Sequence, residues 1–296
     1  MQVTGSNTDF RCLKDLSCSF EPSSTASYHI SILLRPDGFS FCVVSPETHA
    51  CRLYRDYAFG GEKFACNVWN LSDTGEYAAA VRQAVAQDAA LQLKYGRCRV
   101  FVDFPLVTRV PGAFFMPDSP EVYFRPYPPG AMDGMAFFSE PAGAGSDRLV
   151  FGLPQSWTEF WQKLSREPVT WAHAATALCD LEVAPSEEPL MKLLVATGHV
   201  TVSLQRNGRI LHYNHHPAAV PADVLYFAMG AMRRHGVAPG RCEVRCVSSA
   251  PAMPAGSVAD LLQPYVLRTV CPVATWPGQP VADEAGSSPL LLQPCV

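Results

Sequence analysis

Two groups of residues in this chain have the types and spacing to do chemistry. Asp103 follows the strand that runs Gly96-Arg-Cys-Arg-Val-Phe-Val, and a carboxylate at a strand end can orient a water and take its proton as a general base. The competing reading is a carboxylate that only caps the strand end beside Pro105. His212-x-x-His215-His216 crowds three imidazoles at the end of another strand, and with Cys242 or Cys246 they supply the donor types of a zinc site. Alternation of faces along a strand works against three ligands from one such run. The acids Asp73, Glu76 and Asp88 read most simply as the solvated face of a helix.

Bulk properties narrow the class of protein. The 296 residues are 48% hydrophobic and 17% charged, which suits a globular chain with a sizeable core, either two domains or one large duplicated one. A net charge of −4, with no basic run interleaved with aromatics, argues against a nucleic-acid surface. No apolar run approaches the roughly 18 residues needed to span a bilayer. The first ten residues lack a basic region followed by an apolar one, so the expected location is the cytosol. Eleven cysteines without a Cys-x-x-Cys read as small buried hydrophobes.

The elements that must position these groups come in two similar sets. Ile30-Ser-Ile-Leu-Leu-Arg-Pro-Asp-Gly38 turns into Phe39-Ser-Phe-Cys-Val-Val and then Cys51-Arg-Leu-Tyr-Arg. Lys192-Leu-Leu-Val-Ala-Thr-Gly198 turns into Val200-Thr-Val-Ser-Leu and then Arg209-Ile-Leu-His-Tyr. Each set leads through a helix to a strand opening on Gly-Arg-Cys, at Gly96 and at Gly240. The spacing predicts two βββαβ units with a cleft between them. An insertion from Gly60 to Asn70 accounts for most of the difference in length between the units.

Expected boundaries are an N-terminal arm over 1–27, a first half over 28–185, a second half over 186–274 and a flexible tail over 275–296. Helix one is expected to be capped near Asp73 or Thr74, with Tyr77, Val81, Ala84 and Val85 on its inner face. Between the units, Ser156-x-x-Glu159 predicts a capping box before the apolar stripe Trp157, Phe160, Trp161 and Leu164. Asn207-Gly208 predicts a tight hairpin.

A repeated βββαβ unit resembles the ground plan of the actin-like ATPases, a ribonuclease H-like fold. The stretch Leu149-Val-Phe-Gly-Leu-Pro, followed by a helix, a strand at Val169 and a second helix, is similar to the crossover of pilus-assembly proteins in that class. From about Tyr28 to Val273 the chain also resembles an uncharacterised Bacteroidetes family known as a domain of unknown function. The shared segments are Asp37–Phe41, Val110-Pro-Gly-Ala-Phe114, the hairpin Val200–Asn214 and Leu225–Phe227.

The actin-like resemblance implies that ATP and Mg²⁺ would sit between two hairpin turns, held by backbone N–H groups and by an acid. The matching positions are Asp37 and Gly38 in the first turn and Thr197 and Gly198 in the second. Both turns depart from the pattern. Pro36 lacks an N–H, Phe39 is bulky where close approach is needed, and the second turn has no acid. Where the class has a Gly-Gly pair backing the adenosine, this chain has Ser248-Ser-Ala-Pro251. The expectation is therefore a degenerate, non-catalytic scaffold or adaptor for a protein partner. Its candidate docking elements are the Pro-rich 104–130 segment and Leu290–Leu292. The alternative is an ATP-dependent ATPase or small-molecule kinase using Asp37 and Asp103.

Overall fold

The structure, a computed structural model, describes residues 10–17, 19–59, 75–104, 106–126, 132–142, 146–180, 187–272, 275–276 and 279–280. The expected insertion at 60–70, the caps Asp73 and Thr74, and Leu290–Leu292 lie outside those residues.

The chain enters its first sheet at an edge. Phe10–Ser17 (β1) pairs antiparallel with Cys51–Phe59 (β4), so part of the expected arm is a strand of the sheet itself. His29–Arg35 (β2) and Gly38–Val44 (β3) form the central hairpin, Gly75–Gln87 (α1) crosses the sheet, and Arg97–Val102 (β5) returns parallel to β2. A small antiparallel subdomain follows, made of Val107–Val110 (β6), Met135–Pro141 (β7) and Arg148–Pro154 (β8) in the order β6-β8-β7. Gln155–Gln162 (α2) leads to Thr170–His173 (β9), parallel to β5, and then to Ala174–Asp180 (α3).

The second half repeats this order. Leu190–Ala196 (β10), His199–Arg206 (β11) and Arg209–Pro217 (β12) are antiparallel neighbours. Pro221–Arg234 (α4), Glu243–Ser248 (β13), Ala255–Leu262 (α5) and Arg268–Val270 (β14) follow, with β13 parallel to both β10 and β14. The sheet orders are β1-β4-β3-β2-β5-β9 and β12-β11-β10-β13-β14. Apart from β1, the two sheets match strand for strand. Thr275–Trp276 (β15) and Gln279–Pro280 (β16) form a short pair in the segment expected to be a tail.

The central strands read as nearly unbroken apolar runs because both of their faces are covered. On β2, Ile30, Ile32 and Leu34 face α1 and α2, while Leu33 faces the layer between the halves. On β10, Met191, Leu193 and Val195 face α4 and α5, while Leu194 meets Leu33 in that same middle layer, with Ala174 and Leu178 of α3. The apolar layer shared by the halves therefore brings the ends of β2, β5, β10 and β13 together.

Three local expectations are corrected. Helix α2 starts at Gln155 with Pro154 as its N-cap and no side-chain cap, so Ser156 lies inside the first turn and forms no capping box. Asp88 is buried rather than solvated: it accepts from the Tyr57 hydroxyl at 2.7 Å, the Ala90 N–H at 2.8 Å and Arg55 at 2.8 Å. Phe39 does not fill the turn region. It points into the first core and stacks on Tyr57 at 5.0 Å.

Gly38 is required by close approach. A Cβ there would lie 2.0 Å from the Tyr57 carbonyl oxygen, which is backbone and cannot swing away. Gly38→Ala is expected to destabilise by about 2–3 kcal/mol. Gly230→Ala, at an exposed α4 position with no atom within 4 Å, should stabilise by about 0.5–1 kcal/mol. Urea midpoints at constant m-value separate the two, and equal midpoints would refute the close-approach argument.

Candidate functional site

Each sheet ends its central hairpin in a turn, and the shared middle layer holds the two turns face to face. The first turn keeps an acid that the second lacks, and the second supplies a hydroxyl to it: Thr197 Oγ1 donates to Asp37 Oδ2 at 2.6 Å. The other Asp37 oxygen takes Arg35 Nε at 3.3 Å. Arg35 is itself buried, with Nη2 on Asp56 at 2.7 Å and Nη1 on Ser40 at 3.3 Å. Burial alone would pull its pKa down, but Asp56 and Asp37 outweigh this and hold the guanidinium above its ordinary value. Tyr77 of α1 closes the first turn from the other side, donating to the Gly38 carbonyl at 3.0 Å.

Asp103 lies beside this contact and is 0% exposed. Its Oδ1 takes His199 Nε2 at 3.2 Å, and its Oδ2 takes the Ser249 hydroxyl at 3.4 Å. An ionised carboxylate only accepts, so the His199 Nε2–H is the donor in this bond. Burial raises the Asp103 pKa, but His199, through charge and hydrogen bond, then His173 and Arg35, bring the net shift downward. A general base needs an oxygen aimed at the proton it will remove. Both Asp103 oxygens are engaged by side chains of the second half. Ser248 ends β13, and its hydroxyl donates to the Met253 carbonyl at 2.7 Å.

Of the sequence candidates, the structure gathers Asp37, Gly38, Thr197, Gly198 and Asp103 at one place. Gly198 has φ +83°, the left-handed conformation its turn requires. The three histidines of β12 do not converge on one point: His212 and His216 share a face, with their rings stacked at 6.2 Å, and His215 lies on the other. His215 lies beside the inter-half contact, with Thr201 at 2.8 Å, the Tyr213 hydroxyl at 2.9 Å, and the His173 and His199 rings each 5.7 Å away. His212 instead meets His235 at the end of α4 at 3.3 Å, and His216 stacks on Phe227 at 4.1 Å. Cys242 and Cys246 are buried in the second core, where burial pushes the Cys242 thiol up to about 12 and Cys246 upward as well. Among the described residues, no three of these side chain types are placed to hold a metal ion.

The sequence reading gave no role to Arg35, His173, His199 or Glu140. His173 ends β9, where its Nε2–H donates to the Phe104 carbonyl at 2.8 Å and its Nδ1 accepts from the Ala175 N–H at 3.1 Å. Glu140 of β7 accepts from the His173 N–H at 2.6 Å and from the Thr176 hydroxyl. A polar residue at the end of an otherwise apolar strand was the available signal for Arg35 and His173.

This architecture is that of the actin-like ATPase fold. A Bacteroides thetaiotaomicron protein described as having "actin-like ATPase fold and unknown function" superimposes with TM-score 0.72 at 14% identity, over 94% of this chain and 99% of that one. The PilM–PilN type IV pilus biogenesis complex matches with TM-score 0.54 at 11% identity, over 90% and 96%. The chain belongs to the family described as "Protein of unknown function (DUF3822)", whose model matches residues 17–268. No curated protein matches it. Among the described residues, no helix is long and apolar enough to cross a membrane.

Proposed function

We propose that this protein is a non-catalytic scaffold or adaptor of the actin-like class, working in the cytosol through a protein partner and without ATP or Mg²⁺. The observation that carries the reading is the 2.6 Å bond between Thr197 and Asp37. Phosphate held between two such turns must lie within reach of N–H groups from both, and a magnesium-bound acid must keep an oxygen for the ion's water. Here one turn's hydroxyl is spent on the other turn's acid, and Asp103 is engaged across the same boundary by His199 and Ser249. The contacts that would close around a nucleotide in an ATPase are made by the protein with itself. One fold neighbour is named as a complex of PilM with PilN, which agrees with a partner-binding role for this architecture.

Thermal denaturation with and without millimolar Mg-ATP tests the reading. A ligand at a hundred times its Kd adds about 2.7 kcal/mol, a shift of several degrees for a chain of this size. The expected shift is nil. A clear stabilisation that Asp37→Ala abolishes would overturn the scaffold reading in favour of an ATP-dependent enzyme.

A further inference from the structure

Residues 111–126, which follow β6, display apolar side chains on a loop that is otherwise firmly tied. Phe114 is 72% exposed and Met116 49%. Between them Phe115 turns inward, stacks on Tyr123 and takes Arg148 over its ring at 5.3 Å. One side chain fixes the backbone of the display. The Tyr123 hydroxyl donates to the Phe114 carbonyl at 2.6 Å and accepts from the Met116 N–H at 2.5 Å. Upstream, the Phe114 and Phe115 N–H groups bond back to Pro111 and Gly112. Gly112 is pressed on Ser146 so closely that a Cβ would sit 2.4 Å from its carbonyl oxygen. Loop tips that carry no function are usually polar, whereas aromatics and Met dominate the buried centres of interfaces. A loop already held in one conformation also loses little entropy when it docks.

The surroundings indicate the partner's chemistry. Asp118, Glu121 and Asp133 are exposed on the same subdomain, and none makes an ion pair among the described residues. Arg109 is paired with Asp147 and Arg148 lies over Phe115, which leaves Arg125 as the exposed cation of the segment. Arg148 keeps its charge over Phe115, so the three acids Asp118, Glu121 and Asp133 exceed the two uncompensated cations Arg125 and Arg148 by one among the described residues, and the surface around Phe114 and Met116 is acidic by that margin.

We infer that Phe114 and Met116 form a docking knob for a cationic amphipathic segment of a partner, its apolar face over the two side chains and its Lys or Arg residues against Asp118, Glu121 and Asp133. This rests on the adaptor reading and names the surface and the class of partner. Charge complementarity selects the partner: an acidic rim favours a basic segment and repels an acidic one.

The probe is a fluorescein-labelled Leu–Lys amphipathic helical peptide, with a Leu–Glu peptide of the same pattern as control, titrated against the full chain by anisotropy. The Leu–Lys peptide is expected to bind at least tenfold more tightly than the Leu–Glu peptide, and added salt should weaken it. Phe114→Ala/Met116→Ala should lose at least tenfold of that affinity with its melting curve unchanged, since both side chains are exposed. Asp118→Lys/Glu121→Lys should shift the preference toward the Leu–Glu peptide. Equal binding by wild type and the double alanine variant overturns the proposal. So does a dimer in light scattering that the alanine variant disperses, because the occupant is then a second copy of this chain. The Mg-ATP melt decides the adaptor reading separately: a chain that ignores both nucleotide and peptide keeps that reading and loses only this surface.

Discussion

Arg35→Met is expected to cost about 3–5 kcal/mol of stability, the loss seen when one partner of a buried ion pair is removed and the other charge is left behind. The guanidinium reaches Asp37 on its own turn, Asp56 on β4, the Ser40 hydroxyl and, at 3.4 Å, the Tyr57 carbonyl. Once it is gone, the Asp56 side chain keeps, among the described residues, only a long bond from the Tyr54 hydroxyl at 3.5 Å, and Asp37 loses the cation that balances its bond to Thr197. Arg35→Lys keeps a charge but not the planar fork that serves several acceptors at once, so it should recover only part of the loss. Arg35→Met/Asp56→Leu removes both charges and should be markedly more stable than Arg35→Met alone. Urea denaturation of the four proteins supplies the measurement. If the double variant proves no better than Arg35→Met, a stranded Asp56 is not the cause, and an Arg35→Met loss below about 1 kcal/mol would rule out the network as a stability element.

Local pattern made most of the fold legible. The alternation of Ile30, Ile32 and Leu34 and of Met191, Leu193 and Val195 is set by the pleat, whatever lies elsewhere in the chain. The hairpin at Asn207–Gly208 is equally local, with φ +52° and +72° as a tight hairpin turn requires. Phe10–Ser17 was illegible as a strand because an edge strand with both faces largely exposed carries no alternation to read. Asp88 was misread because Arg55 and Tyr57, 33 and 31 positions away, bury it, and its own helix carries no trace of them.

The candidate site divides along the same line. That Asp37, Gly38, Thr197 and Gly198 sit at turns follows from their hairpins. That the turns touch does not, since Thr197 and Asp37 are 160 positions apart and His199 and Asp103 are 96 apart. Phe39 shows how far pattern reasoning reaches: alternation put it on a definite face of β3, but only the packed helices identify that face as the core. The sequence departures at the turns suggested crowding by bulk. The structure shows polar contacts instead.

Acid is expected to weaken this protein well before its carboxylates titrate, and His173 sets the window. The ring is fully buried, and it is satisfied only as a neutral imidazole, with Nε2–H on the Phe104 carbonyl and Nδ1 accepting from the Ala175 N–H. A second proton would have to enter on Nδ1, against that N–H. Burial chiefly pulls its pKa to about 4; the Phe104 bond and Asp103 resist and His199 assists. The Glu140 carboxylate, bonded to the His173 backbone N–H, and the His215 and Phe151 rings complete its surroundings. The unfolded chain takes up the proton near pH 6.5, whereas the folded one does so near 4. The contribution is therefore whole above pH 6.5 and drains away as pH falls from 6.5 to 4, where it has cost about 3 kcal/mol. His215, which burial also pushes below its ordinary value, acts in the same direction. Asp103, lowered rather than raised, adds its own loss only below the usual carboxylate range. Denaturation series at pH 7.5, 6.5, 5.5 and 4.5 should show stability falling by at least about 2–3 kcal/mol across that range. That is the His173 share, to which His215 and the half-buried His212, itself lowered to about 4, add. In His173→Gln the side chain no longer titrates, so whatever its stability at pH 7.5 its slope should be shallower. A flat profile in the wild type, or an unchanged slope in His173→Gln, would mean that the ring does not hold the neutral state on which its two hydrogen bonds depend.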